Sequence, residues 1–216
     1  MNKNNQKIFN FVVVIGAIFL LGYFLFRNSP NKIANTDSAA STSNSSVHDH
    51  GGTAVSVNSE QLNSLVGKPL PDIQLTDKDG NIITNESLKG KNTVLFFNEG
   101  LMCYPACWNQ IAMFGSDSRF DTDQIQAMSI VVDPSRDWQK AITQMPELAK
   151  SKTLFDVNAD VSGKLGLLTL PSSMHRGQLP GHTYIVLDKD GIVKYVKDDP
   201  NMAIANDLLM GKMAEF

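Results

Sequence analysis

With 216 residues, 42% of them apolar, the chain carries enough apolar material for one full-sized core. A formal net charge of -3 leaves no cationic excess to neutralise phosphates, so nucleic acid is excluded as an expected partner, and proteins or small molecules are expected instead. The two cysteines are separated by three residues, which is not the framework of a disulfide-stapled secreted module, so their role has to be read from their surroundings.

Residues 8–26 (IFNFVVVIGAIFLLGYFLF) form an uncharged run of 19, long enough as a helix to cross a bilayer core. Lys3 and Lys7 precede it and Arg27 follows, a modest bias that favours a cytoplasmic N-terminus. Residues 1–27 are therefore expected to be a single-pass anchor in the cell membrane, with the remainder extracytoplasmic. A cleaved signal peptide competes with that reading, but the run is longer than a usual signal core and ends in Phe26, Arg27 and Asn28 rather than a small-x-small site. Residues 28–58 are rich in Ser, Thr, Asn and Ala, lack aromatics and read as a flexible linker. Within them His48, Asp49 and His50 offer metal-binding groups, although two histidines in a flexible chain more often bind nothing.

Residues 59–216 alternate strand and helix patterns, as expected of one α/β domain whose core begins near Leu62. Segments 73–76 and 82–84 flank Asp79 and Gly80, which predicts a β-hairpin ahead of the main fold. The run 93–97 (TVLFF) reads as a central strand buried on both faces, and 127–132 as a second one, with a helix carrying Ile111 and Phe114 between them. Pro134 is expected to open a helix reaching about Gln144, and Asn158 to cap one ending near Gly166. Segments 183–187 and 192–196 enclose Asp190 and Gly191 as a second hairpin, and 202–213 is a candidate terminal helix.

Cys103 and Cys107 follow the central strand directly, in the segment NEGLMCYPACW. A helix start at Cys103 would offer its thiolate free backbone N–H groups and the positive dipole end, lowering its pKa from about 8.5 and making it the candidate nucleophile. Cys107 would then be the resolving thiol on the same helix face, about 6 Å away and within reach of a disulfide. A purely structural bridge is the weaker reading, because a ring of about five residues stabilises by only about 2 kcal/mol before strain, against more than ~4 for a bridge spanning a domain. Metal binding by the pair is a further alternative.

These residues resemble the alkyl hydroperoxide reductase and thiol-specific antioxidant (AhpC/TSA) family of redoxins, a likeness carried by GKPLPDIQLTDKDG, by TVLFF leading to Cys103, and by SIVVDPSRDW, TLFDVNADVSGKLGL and HTYIVLDKDG. The resemblance spans about residues 62–196 and implies a thioredoxin-like fold, here with the N-terminal hairpin as an extension. It also implies an antioxidant or disulfide-exchange enzyme, no bound organic cofactor, and Cys103 at the position of the reactive cysteine. Peroxidatic members usually carry PxxxTxxC, whereas this chain has Phe96 and Gly100 at those places and so lacks the hydroxyl that activates peroxide.

His182 stands where thioredoxin-like relatives often hold a cis-proline and peroxiredoxins an arginine, so it is expected to face Cys103 and stabilise its thiolate. Pro180, two residues earlier, is a place where a cis bond is possible, which the sequence does not decide. Glu99 either exchanges protons with the site or caps its loop. Trp108 is expected to pack in the core, Tyr104 to lie at the surface, and His175 and Arg176 to border the site.

The expected function is thiol-dependent oxidoreduction: Cys103 attacks a protein or small-molecule disulfide, or a peroxide, Cys107 resolves the adduct, and a thiol reductant partner resets the pair. The alternative resembles the Sco-type copper chaperones, with Cys103, Cys107 and His182 as soft ligands for copper. In that family the histidine usually falls about two residues earlier, where this chain has Pro180. A redox-inert interaction module is a third possibility, for which the sequence offers no dedicated surface.

Overall fold

The apolar run around 93–97 becomes an interior, buried strand of the sheet. The computed structural model describes residues 57–216, so the apolar run 8–26, the linker up to residue 56 and the group at 48–50 lie outside the described residues. Among the described residues no helix is long and apolar enough to cross a membrane.

In chain order the main elements are α1 (Val57–Asn63), β1 (Gln74–Thr76), β2 (Ile82–Thr84), α2 (Asn85–Leu88), β3 (Asn92–Asn98), α3 (Ala106–Ser116), β4 (Ile125–Val131), α4 (Ser135–Gln144), β5 (Lys152–Phe155), α5 (Asp160–Lys164), β6 (Thr183–Leu187), β7 (Val193–Asp198) and α6 (Asn206–Met213). The strands form one seven-stranded sheet in the order β2-β1-β5-β4-β3-β6-β7. Strand β3 runs parallel to β4 and antiparallel to β6, and β4 runs parallel to β5.

Strand alternation explains why β3 is apolar at four consecutive positions, Val94 to Phe97. Val94 and Phe96 point into a core shared with Trp108, Ile111 and Trp138, while Leu95 and Phe97 point into a second core with Leu62, Leu165 and Leu187. Each such fully buried side chain contributes about 1.5–3 kcal/mol of burial, and a polar residue here would forfeit that and lack a partner.

Both hairpins form with the expected turn chemistry. The Asp77 carboxylate accepts the Asp79 and Asn81 backbone N–H groups, and Gly80 takes the left-handed conformation that the turn requires. The first hairpin does not stand ahead of the sheet: Thr76 registers against Phe155, so the hairpin extends the main sheet beyond β5.

Three expectations need correction. Asn158 does not cap a helix; it lies at φ 72, and the Asp156 carboxylate instead accepts Val161 N, Ser162 N and the Ser162 hydroxyl at the start of α5. The last helix begins at Asn206 rather than 202, because Met202 takes a positive φ that no right-handed helix accommodates. Strand β5 was not expected, since four residues between a 3-10 turn and Asp156 carry too short a pattern to read.

Candidate functional site

Beyond Asn98 the chain is held residue by residue. Asn98 donates its amide to Ile130 O and accepts Gly100 N; Leu101 N donates to Asp133 Oδ2, and the Trp108 indole N–H donates to Gly100 O. Gly100 sits at φ 59, and a Cβ added there would overlap Asp133 Oδ2 and lie 3.0 Å from its Cγ. Burial pushes the Asp133 carboxyl above its ordinary pKa, partly offset by the bond from Leu101.

Cys103 closes a 3-10 turn over Gly100–Cys103; the Tyr104–Pro105 peptide is cis, and α3 starts only at Ala106. The expected placement is thus corrected: Cys107, not Cys103, lies in the first helical turn, and the two do not share a helix face. The cis X–Pro bond among the described residues is Tyr104–Pro105, and Pro180, where one was possible, is not cis. The cysteines are joined as a disulfide with Cα atoms 5.4 Å apart. Both are buried in the same core cluster, although Met102 and Tyr104 beside Cys103 are 58% and 65% exposed. Trp108 is buried, with its ring edge-on to Tyr104 and to Trp138.

His182 is fully buried and enters the site, but against the other sulfur: its Nδ1 lies 3.5 Å from Cys107 Sγ. Its tautomer follows from a chain of bonds. Gln110 Oε1 must be the oxygen, because it accepts the Ala205 backbone N–H, while Gln110 Nε2 donates to Asn206. The Tyr184 hydroxyl therefore gives its one proton to Gln110 Oε1 and accepts from His182 Nε2, 2.7 Å away. That leaves the Nδ1 lone pair bare and aimed at Cys107. Burial holds the imidazole pKa down to about 4, with Asp199 opposing and Lys197 reinforcing the shift, so the ring is neutral near pH 7. The two Sγ atoms and a His182 ring nitrogen lie within 4.8 Å of one another.

Glu99 takes the loop-capping role. Its buried carboxylate accepts Met174 N at 2.6 Å and His175 N at 3.1 Å, and its other oxygen lies 2.7 Å from His175 Nδ1. His175 thereby joins the loop before Cys103 to the strap that leads into His182, whereas Arg176 turns away and donates to Pro171 O. Glu99→Leu should orphan two backbone N–H groups and cost on the order of 3 kcal/mol. Hydrogen exchange at Met174 and His175 checks this: their amides should lose protection while those of β3 keep it.

Tyr184, Gln110 and Asp133, which hold the site in place, are not singled out by the sequence. The first two were within reach of periodicity, since Tyr184 is two positions after His182 at the entry to β6 and Gln110 three after Cys107 on one helix.

The family described as the AhpC/TSA family matches residues 66–196. Among curated proteins none matches the sequence. Similar solved structures include the peroxidoxin BcpB of Mycobacterium tuberculosis, 22% identical over 69% of this chain and 96% of its own, with a TM-score of 0.55. AhpC of Enterococcus faecalis is 17% identical over 70% and 92%, with a TM-score of 0.56. A peroxiredoxin-like protein of Aquifex aeolicus is 17% identical over 70% and 87%, also at 0.56. At these identities the likeness establishes the thioredoxin-like fold.

Proposed function

Because the chain belongs to the AhpC/TSA family, we propose that it is a thiol oxidoreductase working through Cys103 and Cys107, with disulfides preferred over peroxides as substrates. The observation that carries this reading is the closed Cys103–Cys107 bridge, its inner sulfur backed by a bare histidine nitrogen. The Cys103 thiolate attacks one sulfur of a substrate disulfide, forming a mixed disulfide and expelling the other half as a thiolate. The Cys107 sulfur then attacks Cys103 Sγ while its proton passes by way of the contact with His182 Nδ1 to the second half, which leaves as a thiol, the buried imidazole returning to its neutral form. The substrate gains two electrons, the protein keeps the internal disulfide, and a thiol reductant partner reverses the process. The apolar run 8–26 supports placing this chemistry outside the cytoplasm on a membrane anchor.

Peroxide is the lesser substrate. No hydroxyl stands at Gly100 and no arginine at His182 to polarise an O–O bond, whereas disulfide exchange asks mainly for an accessible thiolate and a good leaving group. Stopped-flow Trp fluorescence of the reduced protein should show oxidation by a disulfide at least about tenfold faster than by equimolar hydrogen peroxide. The reverse order would make the chain a peroxidase with an unusual site.

A second reading rests on the three converging donor atoms. Once reduced, two thiolates and the bare Nδ1 form a soft set suited to copper as cargo, with the other ring N–H already engaged by Tyr184. Stoichiometric copper uptake by the reduced protein, together with inertness toward disulfides, would favour it over the first reading.

A further inference from the structure

The hydrogen bonds that orient His182 run on past Gln110 to the surface, and each link has a single allowed direction. Asp117, just after α3, is bonded twice by Arg119, which holds its carboxyl well below the ordinary carboxylate range, so it only accepts. Asn206 Nδ2 gives a proton to that carboxylate at 2.9 Å and another to Met113 O at 3.3 Å, two acceptors that exclude the flipped amide. Asn206 Oδ1 then faces Gln110 Nε2, which turns Gln110 Oε1 toward the Ala205 N–H and the Tyr184 hydroxyl. The Ala205 N–H demands the same orientation independently. Ala205 and Asn206 together open α6, so the C-terminal helix sets Gln110 through two bonds. Gln110, Tyr184 and His182 are fully buried, where solvent cannot replace a lost partner.

We propose that Gln110 and Tyr184 are positioning residues for the resolving step, set by the start of α6, and that they hold His182 in the one tautomer able to accept the Cys107 proton. On the thiol oxidoreductase reading, on which this role rests, the bond between Cys103 Sγ and the substrate sulfur breaks as the Cys103–Cys107 bond forms. The proton lost by Cys107 reaches the departing thiol by way of Nδ1. A ring protonated on Nδ1 would present an N–H to Cys107 and take nothing from it. The choice is made at the far side of the ring. In Tyr184→Phe an Nε2–H would stand in the core unpaired, whereas a proton moved to Nδ1 meets sulfur, so the tautomer reverses. In Gln110→Met the Tyr184 hydroxyl loses its acceptor and turns its proton toward Nε2, which drives the same reversal. The hydroxyl oxygen that accepts from Nε2 also supports the positive charge passing onto the ring, and both variants forfeit that support.

Nitrogen-15 NMR of histidine-labelled protein in the disulfide form reads the tautomer. Wild-type His182 should show a bare Nδ1 and a protonated Nε2, and both variants the reverse. Tyr184→Phe keeps the ring stacked on Phe96, with centroids 4.8 Å apart, so it tests the idea even if Gln110→Met, which also orphans the Ala205 N–H, fails to fold. Kinetics then separate the two steps. Reduced protein is mixed with bis(2-hydroxyethyl) disulfide, quenched in acid and weighed intact, so that the adduct on Cys103 is seen to form and decay. In the variants formation should stay within about twofold of wild type while decay slows by about a hundredfold, the scale of general-base assistance. A merely structural role predicts that both steps change together and the tautomer does not. The proposal is overturned if Nδ1 stays bare in Tyr184→Phe, or if the adduct decays at the wild-type rate once the tautomer has reversed. Should wild-type protein form no adduct, the oxidoreductase reading fails instead, and the NMR result alone decides whether these residues set the tautomer.

Discussion

The Cys107→Ser variant is expected to stop turnover with disulfide substrates and to accumulate a stable mixed disulfide on Cys103, visible as an adduct mass on the intact protein. The Cys103→Ser variant should form no adduct at all. Both rates should fall by about a thousandfold or more, roughly 4 kcal/mol of transition-state stabilisation, since a serine hydroxyl replaces neither the attacking thiolate nor the resolving one. The asymmetry between the variants comes from packing. Both cysteines are buried in one core cluster, but Cys103 is flanked by the exposed Met102 and Tyr104 and so lies at the outer side of the bridge, whereas Cys107 faces His182 inside the core. The acidity argument drawn from a helix start at Cys103 no longer applies, because α3 begins at Ala106. Access now assigns the roles, and an adduct found on Cys107 in the Cys103→Ser variant would reverse them.

Much of the scaffold was legible because it is written in local chemistry. The run TVLFF has only one stable home, between two cores, and each Asp-Gly pair bends its hairpin wherever the hairpin is placed. The site was legible as a list of residues but not as an arrangement. Spacing announced that Cys103 and Cys107 could bridge, yet the 3-10 turn and cis peptide between β3 and α3 decide which of them begins the helix, and no periodicity carries that information. His182 was drawn to the correct centre and to the wrong sulfur. The bonds that settle its orientation run from Tyr184 to Gln110, 74 residues apart, and from Gln110 to Ala205, 95 apart, so they exist only once the sheet and its covering helices have assembled. Glu99 is similar: its partners at 174 and 175 are brought by a strap that local pattern reads as loop.

Restoring the threonine of the peroxidatic pattern should damage the protein rather than convert it. Gly100→Thr is expected to destabilise the fold by about 3–8 kcal/mol, from three sources that share one residue. A β-branched side chain at φ 59 costs about 1–2 kcal/mol of backbone strain; forcing atoms into occupied space costs about 1–3 more; and displacing Asp133 leaves the Leu101 N–H unpaired for about another 1–3. Against a total stability of about 5–15 kcal/mol, that is enough to show as a large fall in the denaturation midpoint. The pairing of Gly100 with Asp133 therefore gives the missing hydroxyl a physical reason: the carboxylate that anchors the loop before Cys103 occupies the room a threonine would need. The double variant Gly100→Thr with Asp133→Ala separates the contributions, because it removes the overlap but keeps the backbone strain and the unpaired N–H. It should recover about 1–3 kcal/mol relative to the single variant. If Gly100→Thr alone denatures at the wild-type midpoint and reduces hydrogen peroxide faster, the loop is more plastic than its packing implies, and the Gly100–Asp133 pairing is not what the proposed preference for disulfides over peroxides rests on.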